Sequence, residues 1–218
     1  MPEPGIVRRP LKSRGTQWAA AAARWVAAAG LRPNQISVLS ILFAGIACGC
    51  LFLTSRREGS AVAWLFAGAA ACVQLRLLCN MLDGMVAVEG GFRTKTGEIY
   101  NELPDRVADV LILVGAGYSS GNSPTLAMLG WAAAVGAVMT AYVRALGATA
   151  GASQYFLGPM AKPHRMAVIT VACLGTALSL ALGKPYGLIQ PALWIIVAGC
   201  AITVARRAVR ILRELEAK

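Results

Sequence analysis

Two short acidic stretches hold the residues of this sequence whose types and spacing could do chemistry: Asn80-Met-Leu-Asp83-Gly84-Met-Val-Ala87 and Gly97-Glu98-Ile-Tyr-Asn101-Glu102-Leu-Pro-Asp105-Arg106-Val-Ala-Asp109. They lie between two hydrophobic runs, and carboxylates at the mouth of a membrane segment are costly unless they hold something positive. At about 100° per residue, Asn80, Asp83, Gly84 and Ala87 share one helical face with Arg76 one turn earlier. Glu98, Asn101, Glu102, Asp105 and Asp109 recur every three or four residues and form a second polar stripe. Two stripes at the ends of consecutive antiparallel helices can face each other. A hard divalent cation such as Mg²⁺ needs several oxygens at close range, and substrate phosphates usually complete its shell. Gly84, Ala87 and Gly97 leave a small-residue gap where a diphosphate can approach the backbone. The alternative is a buried polar network that only tightens helix packing. Gathered carboxylates repel one another unless a cation is present, which favours a metal-dependent site at a membrane surface.

The elements that must position these stripes follow from composition. The 218 residues are 57% hydrophobic and 14% charged, with a mean hydropathy of +0.60. That is too little polar surface to cover a water-soluble globule, so the chain is expected to be a membrane protein. The formal net charge of +11 comes from short basic clusters between apolar segments. Such clusters fit anionic lipid headgroups, or simple topology signals, better than nucleic acid, and no nucleic-acid partner is expected. The six cysteines (Cys48, Cys50, Cys72, Cys79, Cys173, Cys200) lie in or at the ends of apolar runs without metal-ligand spacing and read as small core residues.

In order along the chain, residues 1–15 form a basic, proline-containing arm. They do not read as a signal peptide, because Arg24 interrupts the alanine-rich stretch that follows. Residues 16–29 predict a helix with Trp18 and Trp25 on one face, suited to lie in the headgroup region; an ordinary packed helix is the other reading. After Pro33, which suits a first helical turn, six apolar spans are expected near residues 36–53, 61–82, 97–118, 125–150, 166–182 and 188–205. Lysines and arginines cluster in the N-terminal arm, the second-to-third link (Arg93, Lys95), the fourth-to-fifth loop (Lys162, Arg165) and the tail from Arg206. The positive-inside rule then puts both termini and the acidic site on the cytoplasmic side of a bacterial-type inner (plasma) membrane. The expected fold is an all-α integral membrane protein of six transmembrane helices preceded by an N-terminal interfacial amphipathic helix. It divides into an arm and juxtamembrane helix (1–30), a catalytic membrane domain (31–205) and a basic tail resting on the membrane (206–218).

These residues resemble the CDP-alcohol phosphotransferase (phosphatidyltransferase) family, whose pattern is aspartate, two residues, aspartate-glycine, two residues, alanine-arginine, eight residues, glycine, three residues, aspartate, three residues, aspartate. Laid without gaps over positions 80–105, Asp83, Gly84, Ala87, Gly97 and Asp105 match, while Asn80, Val88 and Asn101 depart. Pro33-Asn34, Tyr142-Val-Arg144 and Asp105-Arg-Val-Ala-Asp109 also look like the family, so the resemblance covers most of the chain.

The resemblance implies a donor that is a CDP-linked alcohol, typically CDP-diacylglycerol, clamped through its diphosphate by Mg²⁺ or Mn²⁺. A small alcohol acceptor attacks the phosphorus beside the lipid alcohol and CMP leaves, a step of phospholipid synthesis. Asn80, Asp83 and Asn101 occupy metal-ligand positions; Asp105 occupies that of a ligand and general base; Gly84, Ala87 and Gly97 line the donor site; and the resemblance implies a homodimer among membrane lipids. Two asparagines remove two negative charges from the ligand set. Glu102 is positioned to restore a carboxylate for the metal, and Arg76 to replace the motif arginine missing at Val88 in gripping the donor. Arg144, Lys162 and Arg165 either hold an anionic acceptor such as a phosphorylated polyol or set topology. His164 reads as a solvated loop residue. Asp109 is expected to support the site or to pair with Arg106 or Arg144. Two rivals stay open: a CDP-lipid-binding relic without turnover, and a small transporter. A transporter would show internal repeats and broken midplane helices, whereas the charges here cluster at one face.

Overall fold

The computed structural model describes residues 16–89, 97–119, 121, 123–184 and 187–218, without the side chains of Val88, Glu89 and Glu98. The expected arm (1–15), the link with Arg93 and Lys95, and the missing motif arginine at Val88 therefore lie outside what is described. Among the described residues the chain is all-helical: α1 (Gln17–Ala28), α2 (Pro33–Leu53), α3 (Ser60–Glu89), α4 (Gly97–Gly117), α5 (Pro124–Thr149), α6 (Lys162–Ala181) and α7 (Ile189–Glu216), with one 3₁₀ turn at Thr54–Arg56.

Local chemistry sets the helix starts. Pro33 opens α2, where no backbone donor is needed, and Gln35 Oε1 accepts the Arg32 N–H at 2.9 Å. Pro124 opens α5 behind Ser123, whose hydroxyl accepts from the Leu126 N–H. At 1.5 Å per residue, the 30 residues of α3 span about 45 Å, well beyond a hydrocarbon core of about 30 Å. The last turns of α3, which carry Asn80, Asp83, Gly84 and Ala87, thus continue past the apolar span as regular helix.

Among the described residues, five helices are long and apolar enough to cross a membrane: α2 with its 3₁₀ turn, α3, α5, α6 and α7. The sixth expected span, α4, falls short of that measure because its first turns carry the polar stripe. Large apolar side chains face outward along the spans, among them Val38, Leu42 and Ile46 on α2, Trp64 on α3 and Leu174 and Leu178 on α6. An outward apolar surface of this kind has lipid as its solvent, and the chain is an integral membrane protein. All six cysteines are free; Cys79, Cys173 and Cys200 are buried and the other three partly so.

The interior is built from small residues. Ala44, Ala47, Ala69, Ala108, Ala133 and Ala137 are fully buried in one core shared by α2 to α7. In lipid, helices gain little from apolar burial and associate through close packing, which small side chains permit. A close backbone-to-backbone approach joins α4 to α5: a Cβ on Gly130 would stand 2.7 Å from Gly117 Cα and 2.9 Å from the Leu113 carbonyl oxygen. Those atoms are backbone and cannot rotate away. Gly130→Val is expected to lower stability by about 1–3 kcal/mol through overpacking. Unfolding in mixed micelles measures this, and an unchanged midpoint would remove the crossing as a constraint.

A second core seats α1. Ala19 and Ala23 pack with Ile36 and with Met81, Leu82, Met85 and Val86 at the end of α3, while Trp18 and Trp25 stay exposed. The expected separate tail is instead the last turns of α7, running unbroken to Glu216. It is anchored to protein: Arg207 is buried, donating to the carbonyls of Leu157 (2.9 Å) and Thr140, and Glu214 accepts from Ser153 and from Tyr155 Oη at 2.7 Å. A long helix with satisfied buried polar groups at its end has no reason to peel onto the membrane.

Candidate active site

The end of α3, the start of α4, the end of α5 and the start of α6 meet at one end of the bundle. Helices α3 and α4 touch each other little, since α2 packs extensively against both. Their polar stripes are joined by a side chain. Arg76 on α3, fully buried, donates from Nη2 to Asp109 Oδ1 at 2.8 Å and to Asp105 at 3.3 Å (Oδ1) and 3.2 Å (backbone O). No acidic residue stands three or four positions from Arg76 on its own helix, so its carboxylate partners come from α4 across the bundle.

Asp105 is held on both oxygens. Its Oδ1 faces Arg76, and its Oδ2 accepts from Lys162 Nζ at the start of α6, with Arg106 Nη2 at 3.7 Å. Asp109 bridges two arginines, Arg76 and Arg165, the latter donating from Nη2 to Oδ2 at 2.7 Å. Arg165 also donates to the Met160 carbonyl at 2.8 Å and Thr140 Oγ1 at 3.2 Å. The expected pairing of Asp109 with Arg106 or Arg144 is therefore corrected: both point to Glu102, Arg144 at 2.7 Å and Arg106 at 3.6 Å. The face of α4 explains this, because Asp109 turns into the bundle whereas Glu102 sits half-exposed at its rim.

Asn80 and Asp83 stand apart from this ion-pair web. Ser37 on α2 donates to Asp83 Oδ2 at 2.7 Å, but Asp83 Oδ1 and both polar atoms of Asn80 are buried without a hydrogen-bond partner. Lys162 and Asp105 are near enough for their charges to act on Asp83. Buried polar atoms left without partners in a native site call for a ligand. Among the described residues no three His, Cys, Asp or Glu side chains stand together as a metal site. The oxygen set at this end includes an amide, however, and two open hard oxygens one helical turn apart suit a divalent cation completed by ligand phosphates. Gly84 and Ala87 continue the same face of α3, and Gly97 begins α4. Asn101 is exposed at the rim, one turn before Asp105.

The structure thus brings Asp83, Arg76, Asp105 and Lys162 together, with Asn80 one turn before Asp83 on α3 and Glu102 and Arg144 paired beside them. Arg165, one per cent exposed, is committed to Asp109, Thr140 and Met160. Sequence reasoning passed over Ser37 and Arg207. Ser37 carried a signal, a hydroxyl four residues into an apolar span; Arg207 read as one more tail charge.

No family model matches this chain. It is 28% identical to the phosphatidylinositol phosphate synthase of Streptomyces avermitilis over 191 residues, which is 85% of this chain and 74% of that protein. It is 30% identical over 115 residues to the bifunctional IPC transferase and DIPP synthase of Rubrobacter xylanophilus, covering 53% of this chain but only 24% of that protein. Its fold is that of solved structures of Mycobacterium tuberculosis phosphatidylinositol phosphate synthase. The complex with manganese and citrate superposes with a TM-score of 0.72 at 20% identity, over 89% of this chain and 88% of that one. The structure with CDP-DAG bound gives 0.72 at 21% identity, over 90% and 94%. These likenesses agree with the family resemblance read from the sequence.

Proposed function

We propose that this chain is a CDP-alcohol phosphatidyltransferase that moves the phosphatidyl group of CDP-diacylglycerol to a phosphorylated alcohol and releases CMP. The observation that carries the reading is the union, at one membrane end, of unpartnered buried oxygens on Asn80 and Asp83 with the cation-held carboxylate of Asp105. A Mg²⁺ or Mn²⁺ bound at Asn80 and Asp83 would neutralise the donor diphosphate. Gly84, Ala87 and Gly97 keep side chains out of the donor's path, and Arg76 holds Asp105 in place. The acceptor hydroxyl forms a new bond to the phosphorus beside the lipid alcohol as the bond from that phosphorus to CMP breaks. Asp105 takes the hydroxyl proton, a role that needs a carboxylate within hydrogen-bond reach.

The acceptor is read as anionic because cations outnumber carboxylates here. Lys162, Arg106 and Arg144 face Asp105 and Glu102, and Arg144 also stacks on the Phe156 ring at 5.1 Å. Lys162 and Arg144 are the groups to meet its phosphate, with Arg165 supporting them from behind through Asp109. The name of the Streptomyces relative supports a phosphorylated inositol as the first acceptor to test. In this reading α4 is a sixth span whose polar turns sit at the headgroup level, α1 lies in the interface on Trp18 and Trp25, and the site and both termini face the cytoplasm of a bacterial inner membrane. The chain works as a homodimer.

The test is CMP release by the purified chain in lipid, with CDP-diacylglycerol, Mg²⁺ or Mn²⁺ and a panel of alcohols with and without phosphate. Metal-dependent release that prefers a phosphorylated alcohol is the expected result. Donor binding without release from any acceptor would instead identify a CDP-lipid-binding protein that the two asparagines have deprived of turnover.

A further inference from the structure

Asn80 and Asn101 change the charge of the site. Four carboxylates would carry the charge of two divalent cations; with amides at two positions, only Asp83 and Asp105 remain, the charge of one. The two survivors stand in different surroundings. Asp83 keeps an open buried oxygen beside the open amide of Asn80, whose residue is seven per cent exposed. Each oxygen of Asp105 already faces a cation: Arg76 is 3.3 Å from Oδ1, and Lys162 pairs with Oδ2. Both groups reach Asp105 from other helices, and a divalent cation placed on the same carboxylate would meet an ammonium and a guanidinium at close range. Lys162 begins α6 behind Ala161, next to Pro163, so its backbone is set by a helix start. Its side chain is about a quarter exposed.

We infer that the Lys162 ammonium, with the Arg76 guanidinium, stands at Asp105 in place of a second divalent cation, so that this chain binds one divalent cation, on Asn80 and Asp83. The inference rests on the proposed reading of the site and concerns only how its charge is balanced. It gives the two asparagines a role: they match a site in which a lysine supplies positive charge.

The experiment titrates Mn²⁺ into the full chain in lipid nanodiscs without nucleotide, following free Mn²⁺ by electron paramagnetic resonance and bound Mn²⁺ by equilibrium dialysis. One Mn²⁺ per chain is expected. Asn80→Leu is expected to weaken it at least about tenfold, and the double variant Asn101→Asp with Lys162→Met to bind two Mn²⁺ whose spectrum shows spin coupling. Should the double variant not fold, Lys162→Gln alone is expected to bind its Mn²⁺ about tenfold tighter, the effect of removing a like charge worth about 1.4 kcal/mol. Two Mn²⁺ in the unaltered chain, one in a folded double variant, or unchanged affinity in Lys162→Gln overturns the inference. CDP-diacylglycerol binding in the same samples separates the two levels. Donor binding with two Mn²⁺ removes only the lysine's role, whereas a chain that binds neither Mn²⁺ nor donor removes the proposed function and this inference with it.

Discussion

Asp105→Asn is expected to lower CMP release by about 10²–10⁴-fold, the range a positioned general base contributes, while the chain stays folded and still binds the CDP-lipid. The side chain keeps its shape, and its carbonyl oxygen can still accept from Arg76. What it loses is the capacity to take a proton, together with the charge that faces Lys162. Folding and donor binding therefore serve as internal controls, read by thermal unfolding in detergent and by CDP-diacylglycerol binding in the presence of Mn²⁺. If turnover falls and donor binding survives, the carboxylate acts in the chemical step. Turnover within a few-fold of the unaltered chain would take the base role away from Asp105. Glu102, one turn earlier and half-exposed, would be the next carboxylate to test.

The second large effect concerns stability. Asp109 is one per cent exposed and lies between two arginines at 2.8 and 2.7 Å, themselves almost fully buried. Removing its charge strands cations that already have spare donors, Arg76 Nε and Nη1 and Arg165 Nε. Breaking one partner out of a buried ion-pair network costs about 3–5 kcal/mol, because the charge left behind is uncompensated. Asp109→Asn is expected to lose that amount in mixed-micelle unfolding. Removing both ends of one pair tells the network's cost from its specific worth: Asp109→Leu combined with Arg165→Met should recover part of the loss, since Arg76 retains Asp105. An Asp109→Asn chain within about 0.5 kcal/mol of the parent would mean the arginines find water or lipid phosphate instead, leaving Asp109 without a structural role. Activity should fall as well, because Arg76 hydrogen-bonds both Asp109 and Asp105 and so ties them together across the site.

The two effects have different origins. The first removes a group that exchanges a proton with substrate; the second loosens the frame that holds it. A variant series read only as loss of activity would merge them, whereas donor binding and unfolding midpoints keep them apart.

How much of this was legible in the chain depends on the range of the interaction concerned. The helices, their order and most of their ends follow from local chemistry: apolar runs long enough for a bilayer, prolines at first turns, and backbone groups that lipid leaves to pair within the helix. The polar stripes were equally local, because a period of 3.6 residues puts Asn80 with Asp83 and Asn101 with Asp105 whatever the rest of the chain does. Two local readings stop where local signals end. The tail from Arg206 looked like a membrane-surface segment, but buried carbonyls of Thr140 and Leu157 accept from Arg207 and keep α7 intact. The polar first turns of α4 keep it below the apolarity of the other spans, although its later turns are buried against its neighbours.

Which cation meets which carboxylate was beyond local reading. Asp109 takes Arg165 from 56 residues away, Asp105 takes Lys162 from 57 residues away, and Asp83 takes Ser37 from 46 residues away. In sequence, Arg106 and Arg144 were equally good partners for Asp109, since charge alone does not choose among cations. The choice is made by which face of α4 turns inward and by how α2, lying between α3 and α4, sets the reach of each side chain. The residue types of the site, and its place at one end of the helices, were determined by the sequence itself. The division of that site into an open pair of oxygens and a carboxylate already held by cations was decided only by tertiary packing, because ion pairs form across helices at distances that the backbone fold alone sets.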